Sequence, residues 1–153
     1  MTQQKAIDYG HLFLRVAIGC AVLFLHGFGR VPRVYHYLVL GQPWTFVNLV
    51  GKIGFPAPPF FALCSAAAEF FGGILLIAGL FTRWGAFFLT INMGVATYFE
   101  FSKGKDGTPE MPGIYLISIC ALLIAGSGPY SLDALWRRRR APKQVDHARS
   151  AVG

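Results

Sequence analysis

Charge is scarce in this chain of 153 residues: only 14% is Asp, Glu, Lys or Arg, and only seven residues are acidic. A sequence so poor in charge and 54% hydrophobic, with a mean hydropathy of +0.49, is neither a disordered chain nor an ordinary soluble globule. Cysteine is also sparse. Cys20, Cys64 and Cys120 lie far apart in apolar stretches, so there is no CxxC redox pair, no zinc-ligand spacing and no disulfide framework. The residues carry no flavin, haem or iron–sulfur motif. Strand alternation is missing throughout, which leaves helices as the way to bond the backbone in an apolar setting.

Four apolar segments are present. Leu12 to Gly29 holds one charge, Arg15, and Phe60 to Phe81 holds one, Glu69, whereas Trp84 to Phe99 and Gly113 to Pro129 hold none. Crossing about 30 Å of hydrocarbon takes about 20 helical residues. The first two segments meet that length and the last two need flanking residues, so the expected spans are about 11–29, 60–81, 84–101 and 112–128. The first segment also has the length of a signal peptide, but its apolar run continues unbroken past Cys20 and it carries an internal arginine, which argues for retention. The expected fold is all-α: an integral membrane four-helix bundle occupying residues 1–136, followed by a basic cytoplasmic tail, 137–153, without fixed structure.

The connections differ in kind. Thr82-Arg83 is a turn so short that the helices on either side are antiparallel neighbours, with Thr82 an expected N-cap. Arg30 to Pro59 is much longer than a bundle connection requires. Within it Trp44, Phe46, Val47, Leu49, Val50 and Ile53 recur at helical spacing before the breaker Gly54-Phe-Pro-Ala-Pro-Pro59. Either a short interfacial helix lies on the outer face, or a hydrophobic loop packs on the helix ends. Ser131 is an expected cap for a last short helix bearing Leu132, Leu135 and Trp136.

The net charge of +7 comes largely from the run Arg137 to Arg140 beside the last apolar segment. That placement fits anionic lipid better than nucleic acid. With both termini inside, the cytoplasmic cations are nine (Lys5, Arg15, Arg83, Arg137, Arg138, Arg139, Arg140, Lys143, Arg149) and the outer ones five (Arg30, Arg33, Lys52, Lys103, Lys105). The bias places both termini in the cytoplasm.

Ionisable groups inside a span are costly unless paired or hydrated. Arg15 and Glu69 are therefore expected to meet, directly or through water, although their axial offset of about 8 to 10 Å requires both to lean. The pair either only locks two helices together or forms a polar centre that relays protons or holds the head of a small amphipathic molecule; in the second case Glu69 and Arg15 are the reactive residues. His11, one turn from Arg15, His26 at the outer end of the first segment, and Asn92 in the third are the candidate cofactor-binding groups around it. His11, His26 and His36 form no recognisable metal triad, and no metal is expected. Ala17 with Ala21, and Ala68 with Gly72, offer small-residue steps for close helix approach or for self-association.

Taken together, Arg15, Leu25-His-Gly27, the run Glu69-Phe-Phe-Gly-Gly-Ile-Leu-Leu-Ile-Ala-Gly-Leu-Phe-Thr-Arg83, and Gly126-Ser-Gly-Pro-Tyr-Ser-Leu-Asp133 resemble the DoxX family of small bacterial inner-membrane proteins. The resemblance implies a four-helix membrane bundle and, from some members, a quinone-linked redox subunit that works with a redox-protein partner, with homo-oligomerisation open. A glutamate the family often carries at the start of the fourth helix stands here as Glu110, displaced outward by Met111-Pro112. The alternative to a quinone-linked subunit is a membrane scaffold or transport accessory without enzymatic activity.

Overall fold

The structure is a computed structural model that describes residues 2–140. Among them every regular element is helical. Helix α1 is Gln3–Val39, α2 is Thr45–Ile53, α3 is Pro58–Ala78, α4 is Thr82–Ser102, α5 is Glu110–Ala125 and α6 is Leu132–Arg140, with a single 3₁₀ turn at Gly104–Asp106. Helices α1 and α3 are long and apolar enough to cross a membrane. Large apolar side chains such as Phe13 and Ile124 stand 75% and 80% exposed, a surface suited to lipid rather than water.

Helix α1 is the main departure from the expected spans. It continues ten residues past Gly29, through Pro32, and widens into π turns over Ala21–Gly27. A proline within a helix withholds one N–H and crowds the preceding turn. Locally widened backbone is one of the few ways a helix accommodates such irregularity. Arg30, Arg33 and His36 are thus helical residues of α1 rather than loop residues.

Elsewhere local chemistry and structure agree. The amphipathic stretch does form a helix, α2, so the loop alternative falls away. Trp44 and Val50 seat α2 on Ala62 and Ala66 of α3. Helix α3 opens with Pro58 in its first turn and closes on Gly79, whose φ of 66° suits a left-handed C-cap. Ser131 caps α6 by accepting the Ala134 N–H at 3.1 Å. At the α3–α4 turn the cap is Phe81, not Thr82. Its backbone sits at φ 46°, steadied by its N–H donating to Asp133 Oδ1 at 3.0 Å. Residues Arg137 to Arg140 form the last turn of α6, while the rest of the expected tail, 141–153, lies outside the described residues.

A core of Val22, Leu76, Leu89, Met93, Ile119 and Leu122 joins α1, α3, α4 and α5. The glycines set the register of α1 against α3. A Cβ on Gly19 would meet Ile77 Cγ1 at 2.8 Å, one on Gly27 would meet Phe70 Cα at 3.0 Å, and one on Gly73 would meet Leu23 Cβ at 2.9 Å. The seam is therefore built closely around Gly19, Gly27 and Gly73. Gly72 instead faces α4, where its Cβ would meet Leu89 Cγ at 2.8 Å.

Candidate functional site

The antiparallel register decides which cation meets Glu69. Residue 27 of α1 lies beside residues 69 and 70 of α3, so the next turn of α1 presents Arg30. Its Nε lies 3.0 Å from Glu69 Oε2, and its Nη1 donates to Ser65 Oγ at 2.9 Å. The Arg30 guanidinium also stacks on Phe46 of α2, 4.1 Å from the ring centroid. From α4, Asn92 Nδ2 donates to Glu69 Oε1 at 2.9 Å. Glu69 is 3% exposed. In such a place a carboxylate persists only with a compensating cation and hydrogen bonds; Arg30 of α1 supplies the cation and Asn92 of α4 the hydrogen bond.

The expected Arg15–Glu69 pair is absent. Arg15, 1% exposed, instead serves the opposite end of α3: Nη1 donates to Leu76 O at 2.7 Å and to Ile77 O at 3.2 Å, and Nη2 donates to Tyr130 O at 2.7 Å. The physical reason is register. The Arg15 guanidinium reaches the carbonyls of residues 76 and 77, about 11 Å along α3 from Glu69 at 1.5 Å per residue. There the final carbonyls of the helix have no intrahelical donor and the helix dipole favours a cation. Arg15 is a C-terminal cap that ties α1 and α3 to the segment before α6. Close packing fixes it, because a Cβ on Gly79 would meet Arg15 Nη1 at 2.2 Å. His11 sits at this same end, against Gly128.

The remaining expected residues divide accordingly. Glu69, His26 and Asn92 share one cavity of ≈ 530 Å³ with Arg30, whereas Arg15 and His11 do not reach it. His26, within the π segment, meets Tyr115 of α5 edge to face at 5.5 Å. The walls are mostly apolar, from Phe46, Leu49, Val50 and Ile53 of α2, Phe61 and Ala68 of α3, Phe88, Ile91 and Met93 of α4, and Met111 and Tyr115 of α5. Glu100 and Thr108 also line it, and Glu110 does not. Glu100 accepts the Thr108 N–H at 3.0 Å and pairs with Lys103.

Sequence reasoning missed Arg30 and Ser65. The available signals were spacings of four: His26 with Arg30, and Ser65 with Glu69, each pair on one helix face. An apolar chamber of this size, with a few convergent polar groups on one wall, has the form of a small-molecule site. A neutral pairing of cation and acid there can hold an uncharged polar head while an apolar tail takes the walls.

Residues 10–101 match the DoxX family. A Bacillus subtilis protein named "Putative oxidoreductase CatD" is 30% identical over 130 residues, covering 84% of this chain and 88% of that one. An uncharacterized Haemophilus influenzae protein is 28% identical over 137 residues, 85% of this chain and 92% of its own. A second uncharacterized protein of that organism is 31% identical over 110 residues, 64% of this chain and 70% of its own. No solved structure matches the chain.

Proposed function

The chain belongs to the DoxX family, and from that premise we propose that it is a multi-pass protein of the bacterial plasma membrane in which α1, α3, α4 and α5 cross the bilayer as a four-helix bundle and enclose the quinone-head site of a redox system. The observation that carries this reading is the Arg30–Glu69–Asn92 centre, compensated in charge and set in the wall of an apolar cavity of ≈ 530 Å³. That volume lies within the range of about 300–1,000 Å³ usual for small-molecule sites. The name of the Bacillus subtilis relative adds support for redox chemistry.

A quinone, when bound, supplies reversible two-electron, two-proton chemistry. This chain's residues do the rest. Arg30 has N–H groups beyond those bonded to Ser65 and facing Glu69, and Asn92 has a second amide hydrogen. These are the donors for head-group oxygens. Glu69 holds Arg30 in position, side chains of α2 form one wall of the cavity, and the apolar walls take the tail. Electrons come from a redox-protein partner, since the chain carries no redox motif of its own.

The test is purification of the full chain in mild detergent, followed by solvent extraction and chromatography for bound quinone. Quinone present in the wild type and lost in a folded Arg30→Gln variant is the expected result. A protein that retains none, and titrates none when quinone is added, overturns the reading and favours the scaffold alternative.

A further inference from the structure

A second apolar hollow adjoins the cavity that holds the Arg30–Glu69–Asn92 centre. It has a volume of ≈ 370 Å³ and lies between the end of α2 and the outer half of α4, against Ile53, Gly54, Phe55, Gly94, Val95 and Tyr98. Three of these, Ile53, Phe55 and Val95, also line the larger cavity, so the two spaces meet at their side chains. Two glycines keep the hollow open: a Cβ on Gly54 or on Gly94 would have no neighbour within 4 Å. Gly54 has a separate reason to be glycine, its φ of 98° at the C-cap of α2. Gly94 has none. It sits inside α4 without a positive φ, where glycine is destabilising relative to alanine. The hollow also opens on the exposed apolar face of α4. Trp84, Phe87, Ile91, Tyr98 and Phe101 follow one another along that face and are 44% to 72% exposed, and Gly94 takes the place in the stripe between Ile91 and Tyr98.

We propose that the hollow at Gly94 is the exit through which the hydrocarbon tail of a ligand seated in the cavity passes to lipid, so that the ligand is a long-tailed membrane quinone and not a short, water-soluble one. The proposal rests on the reading of the larger cavity as a quinone-head site and adds the class of tail and its route. A cavity of ≈ 530 Å³ has the size of a drug-sized molecule. It takes a ring and the first part of a chain, but not a chain long enough to hold a molecule in a bilayer, so the remainder has to leave. At the Glu100 and Thr108 side of the cavity the tail would meet a carboxylate paired with Lys103, an unsuitable boundary for hydrocarbon. At Gly94 it meets apolar side chains and an unobstructed helix surface. Lipid is as apolar as the hollow, so the tail gains little by moving from one to the other. What Gly94 supplies is room, and a side chain there acts by obstruction.

The experiment titrates the detergent-solubilised full chain with decyl-ubiquinone and with duroquinone, a tail-less quinone, reading the thermal unfolding midpoint as a function of ligand concentration. Gly94→Phe is expected to weaken decyl-ubiquinone binding roughly tenfold or more, as overpacking does, and to leave duroquinone within about threefold of its wild-type affinity. Gly94→Ala, which adds one methyl to open space, is expected to bind both ligands as the wild type does. A decyl-ubiquinone with a diazirine at the end of its tail tests the same route in the unaltered protein: after illumination, its adducts are expected within residues 53–55 and 94–98. Adducts confined to residues 100–111, or a folded Gly94→Phe variant that weakens both ligands equally or neither, overturn the exit and leave the quinone-head site standing. Failure of both ligands to bind the wild type overturns the quinone-site reading itself.

Discussion

Two buried ionisable residues in adjacent helices look alike in sequence and do different jobs. Arg15 has three backbone carbonyls within 3.2 Å, the surroundings of a structural cap. Replacing it with Met keeps much of the volume but leaves those carbonyls without their charged donor. The expected cost is about 3 kcal/mol, read as a lower thermal unfolding midpoint in detergent. Ligand affinity of the fraction that remains folded should be unchanged; a variant of normal stability that has lost the ligand would return Arg15 to the site. Arg30 and Glu69 are coupled instead. Removing either leaves the other uncompensated, at or below about 3 kcal/mol for a pair in which Arg30 retains some solvent access. The double variant Arg30→Gln/Glu69→Gln is therefore expected to be more stable than the sum of the two single changes predicts, and strict additivity in a double-mutant cycle would deny the pairing. The sequence already marked Glu69 as the group needing a cation. Its partner was not legible, because Arg15 lies within the apolar run and Arg30 just beyond it, and only the helix register separates them.

Along α1 the same register is written in glycines. Gly27 and Gly29 are two residues apart in one helix, and apolar patterning does not distinguish them. Gly27 is buried against the backbone of Phe70 and Glu69, whereas a Cβ on Gly29 would meet nothing within 4 Å. Gly27→Ala must push α1 away from α3 at the level of the polar centre, costing about 1–3 kcal/mol as overpacking does and loosening the Arg30–Glu69 contact. Gly29→Ala should be neutral or stabilising by up to about 1 kcal/mol, the usual gain from replacing an unstrained helical glycine. Unfolding titrations of the two variants check the contrast, and equal effects would mean that the seam does not run through Gly27. The Ser131 cap could be read from nearby chemistry and α2 as one of two alternatives, whereas the turn expected at Thr82-Arg83 lies at Gly79 to Phe81. The extent of α1 could not be read. Gly27 and Gly29 followed by Pro32 resemble a helix ending, yet the π turns over Ala21–Gly27 carry the helix to Val39. A π turn adds a residue and rotates all that follows by about 100°.

At the scale of the whole molecule, cations buried between helices should be set apart from those in the connections, because only the latter bias insertion. Arg15 is sealed at one end of α3 and Arg30 is engaged with Glu69, so neither acts as a free loop charge. Removing one from each side of the sequence count leaves eight basic residues for the terminal side (Lys5, Arg83, Arg137, Arg138, Arg139, Arg140, Lys143, Arg149) and four for the other (Arg33, Lys52, Lys103, Lys105). The ratio strengthens, and half of the larger group is the last turn of α6, where Arg140 stacks on Trp136 at 4.1 Å and Trp136 meets Phe81 edge to face. An arginine-rich turn beside interfacial aromatics suits the anionic cytoplasmic leaflet. A green fluorescent protein fused after Gly153 is accordingly expected to fluoresce, and an alkaline phosphatase inserted at Gly41, in the exposed connection between α1 and α2, is expected to be active. Changing Arg137 to Arg140 to Gln removes half the terminal charge and should leave a mixed population. An inactive phosphatase at Gly41 beside a dark terminal fusion would invert the bundle. The cavity, which lies on the α2 side of the molecule, would then open towards the cytoplasm, and a partner delivering electrons would have to be sought there.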